Sequence, residues 1–150
     1  MSNNSLSLIL EQAKEQEHQA QLALNHAHLE RENYLQQLAQ IEQYRLDYCT
    51  QLSERGLQGL TASSYNHLQK FLTQLDETLA KQKSIGSHFE QQITDCQQHW
   101  LEMQKKRRSI EWLIEKKQRE RQMWLDKQEQ KMMDEFATLQ FARSLFFYIF

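Results

Sequence analysis

The sequence predicts an all-α protein: a long two-stranded antiparallel coiled coil, formed as a helical hairpin, with an overhanging C-terminal helix. Three observations lead there. Proline is absent, only three glycines occur (Gly56, Gly59 and Gly86), and 23 glutamines accompany many Leu, Glu, Lys and Ala residues, most of them good helix formers. Apolar residues make up 39% of the chain and fall as isolated residues and pairs at heptad spacing, not in strand-like blocks. A single stretch, "ERGLQGLTASS" at 54–64, carries turn chemistry. The expected organisation is one coiled-coil domain over 1–150, with a helix over 4–54, a turn over 55–61, a second helix over 62–142 and an apolar tail over 143–150.

The first helix follows from two columns seven residues apart. Leu6, Ala13, Ala20, Ala27, Tyr34, Ile41 and Tyr48 form one. Leu10, Glu17, Leu24, Arg31, Leu38, Arg45 and Leu52 form the other, apolar every other time. Together they describe a thin, partly polar seam, alanine-lined at first and bulkier later, so a partner helix can approach closely at its start. Asn3, Asn4 or Ser5 is the expected N-cap. At the other end Gly56 or Gly59 supplies a left-handed C-cap, and Thr61 or Ser63 caps the next helix.

The second helix resumes the same pattern. Leu68, Leu75, Gln82, Phe89, Cys96, Met103 and Ile110 form one column; Leu72, Leu79, Gly86, Ile93, Trp100, Arg107 and Ile114 form the other. A short link between two such helices returns the chain antiparallel. Gln82 and Gly86 are soft spots, and a bend is expected near Gly86 because glycine costs about 1 kcal/mol against alanine inside a helix. With the turn centred near residue 58, residue 6 lies opposite about residue 110, and each arm covers about 50 residues or about 75 Å.

Residues beyond about 112 then have no partner within the chain. In that overhang Lys117, Arg121, Gln128, Lys131 and Glu135 occupy positions where the pattern asks for apolar residues. Leu113, Trp124, Leu125, Met132, Phe136 and Leu139 line a different, broad stripe. Such a helix is either held by another molecule, with Trp112 and Trp124 as anchors, or it is a solvated or self-associating tail.

Charge and chemistry exclude several function classes. The net charge of -2 gives no global drive toward nucleic acid or anionic lipid, but its distribution is uneven. Residues 1–60 sum to -4, and residues 105–121, with eight basic and three acidic side chains, sum to +5. Acidic residues interleave with this basic run, so an acidic protein surface is a better target than a phosphate backbone, and no nucleic acid is expected. The six histidines are scattered, with no HExxH or paired CxxC, and no metal is expected. Cys49 and Cys96 read as buried or half-buried thiols, a disulfide being the alternative. There is no glycine-rich phosphate loop and no sign of a pocket to turn paired carboxylates into an acid and a base, so neither a cofactor nor enzyme activity is expected. No secretory signal pattern opens the chain, and "LFFYIF" is too short to span a bilayer, although this apolar end suits a bilayer surface, a partner groove or a second copy.

Four stretches carry a family resemblance: "IEQYRLDYCTQL", "GLTASSYNHLQKFLTQLDETLAKQ", "HWLEMQKKRRSIEWL" and, most specific, "QKMMDEFA". Up to about Ala142 the chain resembles the FliJ family of the flagellar type III export apparatus. The resemblance implies a cytoplasmic antiparallel coiled coil, peripherally associated with the inner membrane through the export apparatus, with no catalytic residues. It implies a stalk or escort that binds the flagellar export ATPase hexamer, links it to the cytoplasmic domain of the transmembrane export gate, and associates with export chaperones. The gate-contacting face would be Gln37, Leu38, Ile41, Tyr44 and Tyr48 on the first helix, with Phe71, Leu75, Thr78 and Gln82 on the second. Thr78 and Gln82 depart from the small and ionisable residues expected there. The ATPase contact would use the end bearing both termini, with Arg107, Arg108, Trp112, Lys117, Arg121 and Trp124. "FARSLFFYIF" departs from the polar ends of the family. The alternative is a scaffold coiled coil that dimerises through its C-terminal overhang.

Overall fold

The computed structural model describes residues 3–149; Met1, Ser2, Phe150 and the side chain of Asn3 lie outside the described residues. Those residues form three helices and no strand: α1 over Asn3–Leu57, α2 over Ala62–Ser84 and α3 over Gly86–Ile149. The chain divides into two units, one built from residues 15–104 and the other from residues 1–14 with 105–150. The fold is the expected all-α antiparallel coiled coil.

The unit of residues 15–104 contains the turn. Gly56 remains helical, and Gly59 is the residue that goes left-handed, with φ 88°. The Leu60 N–H donates to the Arg55 carbonyl at 3.1 Å, the six-to-one bond of a Schellman cap, so α1 runs three residues beyond the expected Glu54. Thr61 then caps α2, its hydroxyl accepting from the Ser64 N–H at 3.3 Å.

From this turn the two arms pair through the predicted columns. On α2 and α3 every column residue between Leu68 and Met103 is buried or half-buried; on α1 between Glu17 and Leu52 only Arg45 is exposed. Ala20 and Ala27 are buried, as are Leu79 and Ile93 on the opposing arm. Toward the turn the seam becomes aromatic. Tyr34 stacks on Phe89 with centroids 4.8 Å apart, and Tyr48 packs against Phe71 at 4.4 Å.

The returning arm is not one continuous helix. It breaks at Ile85, between α2 and α3, beside the glycine where the sequence places a bend. The tyrosine opposite explains the geometry. The Tyr34 hydroxyl donates to the Gln82 carbonyl at 2.8 Å, the group that an uninterrupted helix would pair with the N–H of residue 86. A Cβ on Gly86 would stand 2.7 Å from that hydroxyl oxygen and 3.4 Å from the ring carbon bearing it. Glycine therefore makes room for the ring, and the ring's hydroxyl satisfies the carbonyl that the break releases.

In the second unit the start of α1 lies along the stretch of α3 that follows residue 104. Leu6 and Ala13 are buried; Leu10, Arg107, Ile110 and Ile114 are half-buried. α1 is already helical at Asn3, so Asn4 and Ser5 lie inside its first turn and do not cap it. Shelter along α3 ends at Lys117, five residues beyond the expected limit, because α1 starts early and the turn lies later than residue 58. From residue 118 to 149 every residue is exposed, yet the helix continues to Ile149, so the separate tail expected at 143–150 is helical as far as it is described. Straight-chain helix formers and glutamine-to-aspartate bonds at i,i+4, Gln122 to Asp126 and Gln130 to Asp134, support this stretch.

The contact at Gly86 yields a double-mutant test. In urea unfolding followed by circular dichroism, Gly86→Ala should destabilise by about 1–2 kcal/mol, since overpacking and a displaced hydrogen bond exceed the gain in helix propensity. In a Tyr34→Phe background, where the hydroxyl is absent, the same substitution should cost less than half as much. Equal costs in both backgrounds would show that the tyrosine does not set the glycine requirement.

Candidate binding surfaces

An antiparallel coiled coil has two long edges, each lined by residues that flank the seam on both helices. In the unit of residues 15–104 these edges differ chemically. One carries the inter-helical ion pairs: Arg31 with Glu90 at 2.6 Å, Glu42 with Lys83 at 3.7 Å, and Arg45 with Asp76. The Asp76 carboxylate raises the Arg45 pKa above its ordinary value, first by hydrogen bonding and then by charge. These groups are solvent-exposed, so their contribution to stability is small; their sign pattern discriminates between registers. The six charged side chains of these pairs already have partners.

The opposite edge is uncharged through most of its length. Gln37 and Tyr44 follow one another along α1, three residues after seam positions, and Phe71, Thr78 and Ile85 hold the corresponding places on the returning arm. Tyr44 is 48% exposed, Phe71 39% and Ile85 45%. The Tyr44 hydroxyl accepts from Gln40 Nε2 at 2.9 Å, which props the ring without covering it. A shallow groove next to the break in the returning arm lies between Asn33, Gln37, Ile85 and Phe89.

The nine residues suggested for the gate-contacting face thus fall into two groups. Gln37, Tyr44, Phe71 and Thr78 stand along the uncharged edge, where another molecule can reach them. Leu38, Ile41, Tyr48, Leu75 and Gln82 are seam residues, half-buried between the helices, and they support that edge from beneath. The Thr78 hydroxyl is engaged with the Gln74 carbonyl at 2.9 Å. Sequence reading missed the Tyr34, Gly86 and Phe89 cluster. The available signal was register, because a large residue in one column falls opposite a glycine in the other.

The six residues suggested for the ATPase contact also divide, here across one helix. Arg107, Lys117, Arg121 and Trp124 continue the seam lines of α3. Arg107 is half-buried and bonded to Glu111 at 2.9 Å, its stem lying along the seam, while Trp124 is 59% exposed beyond the point where shelter ends. Arg108 and Trp112 project on the opposite side. Trp112 is 55% exposed, forms a shallow hollow with Arg108, Ser109 and Leu113, and has Lys116 Nζ 5.3 Å from its ring centre. The two sets address different directions.

Cys49 and Cys96 are free, half-buried thiols. Among the described residues no group of three or more His, Cys, Asp or Glu side chains is placed to hold a metal ion, and no helix is long and apolar enough to cross a membrane.

Comparison with known proteins agrees with the motifs. No curated protein and no solved structure matches the chain. The family model for the flagellar FliJ protein matches residues 1–145, nearly the whole length and both units. The chain is a member of the flagellar FliJ protein family.

Proposed function

We propose that this chain is the stalk or escort component of flagellar type III export: it engages the hexameric export ATPase through α3 and the cytoplasmic domain of the export gate through the uncharged edge of the hairpin. Family membership gives it a flagellar, export-related role. The observation that supports a direct binding role is the helix over 118–149, exposed at every position while bearing Trp124, Leu125, Met132 and Phe136. An isolated helix of this kind is marginal in water, and a partner surface supplies the burial it lacks. Contact residues on opposite sides of one helix suit a partner that surrounds it, as the interior of a hexameric ring would. On this reading export chaperones bind the same scaffold, and proximity to the inner membrane follows from the apparatus.

A second reading is a scaffold coiled coil that dimerises through the overhang. Leu125, Met132 and Leu139 recur at seven-residue spacing and are 43%, 70% and 67% exposed, so they offer a seam to a second copy.

Three measurements separate these readings. In co-sedimentation with the hexameric ATPase, the Arg121→Ala and Trp124→Ala double variant should bind at least tenfold more weakly with unchanged circular dichroism; equal binding places the contact elsewhere. Tyr44→Ala with Phe71→Ala should weaken binding to the isolated cytoplasmic domain of the gate by about tenfold or more while leaving ATPase binding intact. Light scattering on the full chain and on a truncation after Lys117 addresses the scaffold reading: it requires a dimer that becomes a monomer on truncation, and a monomer at both lengths removes it.

A further inference from the structure

The basic character of residues 105–121 is not spread evenly around α3. Taking Trp112 as the centre, Arg108 and Lys116 stand four residues away on either side, and Lys105 and Arg119 stand seven away. At about 100° per residue these offsets bring all four cations within about 40° of the tryptophan, on the side away from the seam and over about 21 Å of helix. All four are exposed. Lys116 lies near the Trp112 ring; Lys105, Arg108 and Arg119 make no side-chain ion pair among the described residues. Of the acidic neighbours, Glu111 lies toward the seam, joined to Arg107, Glu115 stands exposed at the margin of the face about 60° from the tryptophan, and Glu120 points about 80° away. One face therefore holds a half-exposed indole among four cations, with a single carboxylate at its margin.

The same face continues beyond the basic segment. Met123, 60% exposed, falls within about 20° of the Trp112 direction, and Phe141, Leu145 and Tyr148 return to within about 60° of it near the end of the helix, 67%, 45% and 94% exposed. Asp126 and Asp134 interrupt this line, each accepting a hydrogen bond from a glutamine four residues earlier.

We propose that this face of α3 binds the surface of an anionic lipid bilayer directly. Lys105, Arg108, Lys116 and Arg119 would meet the headgroups, with Trp112 at the interface and Phe141, Leu145 and Tyr148 as a shallow apolar anchor. Charge complementarity selects an anionic partner. The aromatic and aliphatic end on the same side favours a bilayer over an acidic protein or a nucleic acid, because cations and an apolar anchor together are the two signals that hold a peripheral helix at a membrane. The tryptophan is suited to the boundary, with an apolar ring and one N–H donor. Arg108 and Trp112 also belong to the proposed ATPase contact, so the bilayer would be met by chains that the ATPase does not enclose, and vesicle binding by the purified chain needs neither the ATPase nor the gate.

Flotation of the full chain with lipid vesicles tests this. Vesicles containing about 30% phosphatidylglycerol should carry the protein upward at 100 mM salt, vesicles of phosphatidylcholine alone should not, and binding should fall steeply at 500 mM salt. Each cation is worth about a fivefold change in partition, so a variant with Lys105→Gln, Arg108→Gln, Lys116→Gln and Arg119→Gln should lose nearly three orders of magnitude, about 600-fold, while keeping its helical circular dichroism. Replacing Phe141, Leu145 and Tyr148 by serine should weaken binding without changing its salt dependence. Absence of flotation, equal binding to neutral vesicles, or full binding by the four-glutamine variant would overturn the proposal. So would binding to polyglutamate or to an oligonucleotide with none to the anionic vesicles.

Discussion

Tyr34 fits in the seam only because Gly86 lacks a side chain, and this steric condition fixes how the hairpin is paired. Shifting the returning arm by one heptad in either direction would place Leu79 or Ile93 where the glycine stands, against a ring with no room for them. The alanine columns discriminate weakly by comparison, since Ala20 and Ala27 accept many neighbours, and the exposed ion pairs add little energy. One aromatic ring with one hydrogen bond supplies much of the specificity that a thin, partly polar seam cannot provide. The same contact breaks the returning arm into two helices, so register and bend share a cause.

Much of this fold was legible because a coiled coil writes its packing as a period. The seam columns identified from Leu6 and Leu68 onward become sheltered at every position but Arg45, down to Gln82 and Arg107 within them. The turn was also legible, although Gly56 and Gly59 were equivalent until the Leu60 N–H was seen to reach the Arg55 carbonyl. Helix length was not: nothing in "FARSLFFYIF" distinguishes an apolar tail from an apolar helix, and the backbone continues to Ile149. The candidate surfaces were half legible. Family motifs indicated stretches, but they mixed seam residues such as Ile41 with edge residues such as Tyr44, and residues on opposite sides of α3. Separating them needs the phase of each helix, which periodicity supplies and motif matching ignores.

Each of the two units is chemically asymmetric around its helices. Within the unit of residues 15–104, ions pair across one edge and uncharged aromatic and amide side chains occupy the other. Along residues 105–123, Arg107 turns toward the seam and its acidic neighbour Glu111, leaving an excess of positive charge around Trp112. A helix pair lined evenly with charge would present the same surface on every side. Each unit instead offers chemically distinct surfaces around its own helices.

The glycine cap at the turn also bears on how the hairpin forms. Contacts that hold the arms together grow steadily more remote along the chain with distance from that cap: Arg45 and Asp76 are 31 residues apart, Tyr34 and Gln82 are 48, and Arg31 and Glu90 are 59. Loop-closure entropy rises only slowly with such separation once the preceding contact has formed, so pairing that starts at Gly59 proceeds as a zipper in which each step closes a small increment of chain. The residues around Leu6 are the last to find their partners and the first to lose them. The end of the molecule that bears its exposed helix is thus where assembly finishes, and a ligand gripping that helix acts on the final stage of folding.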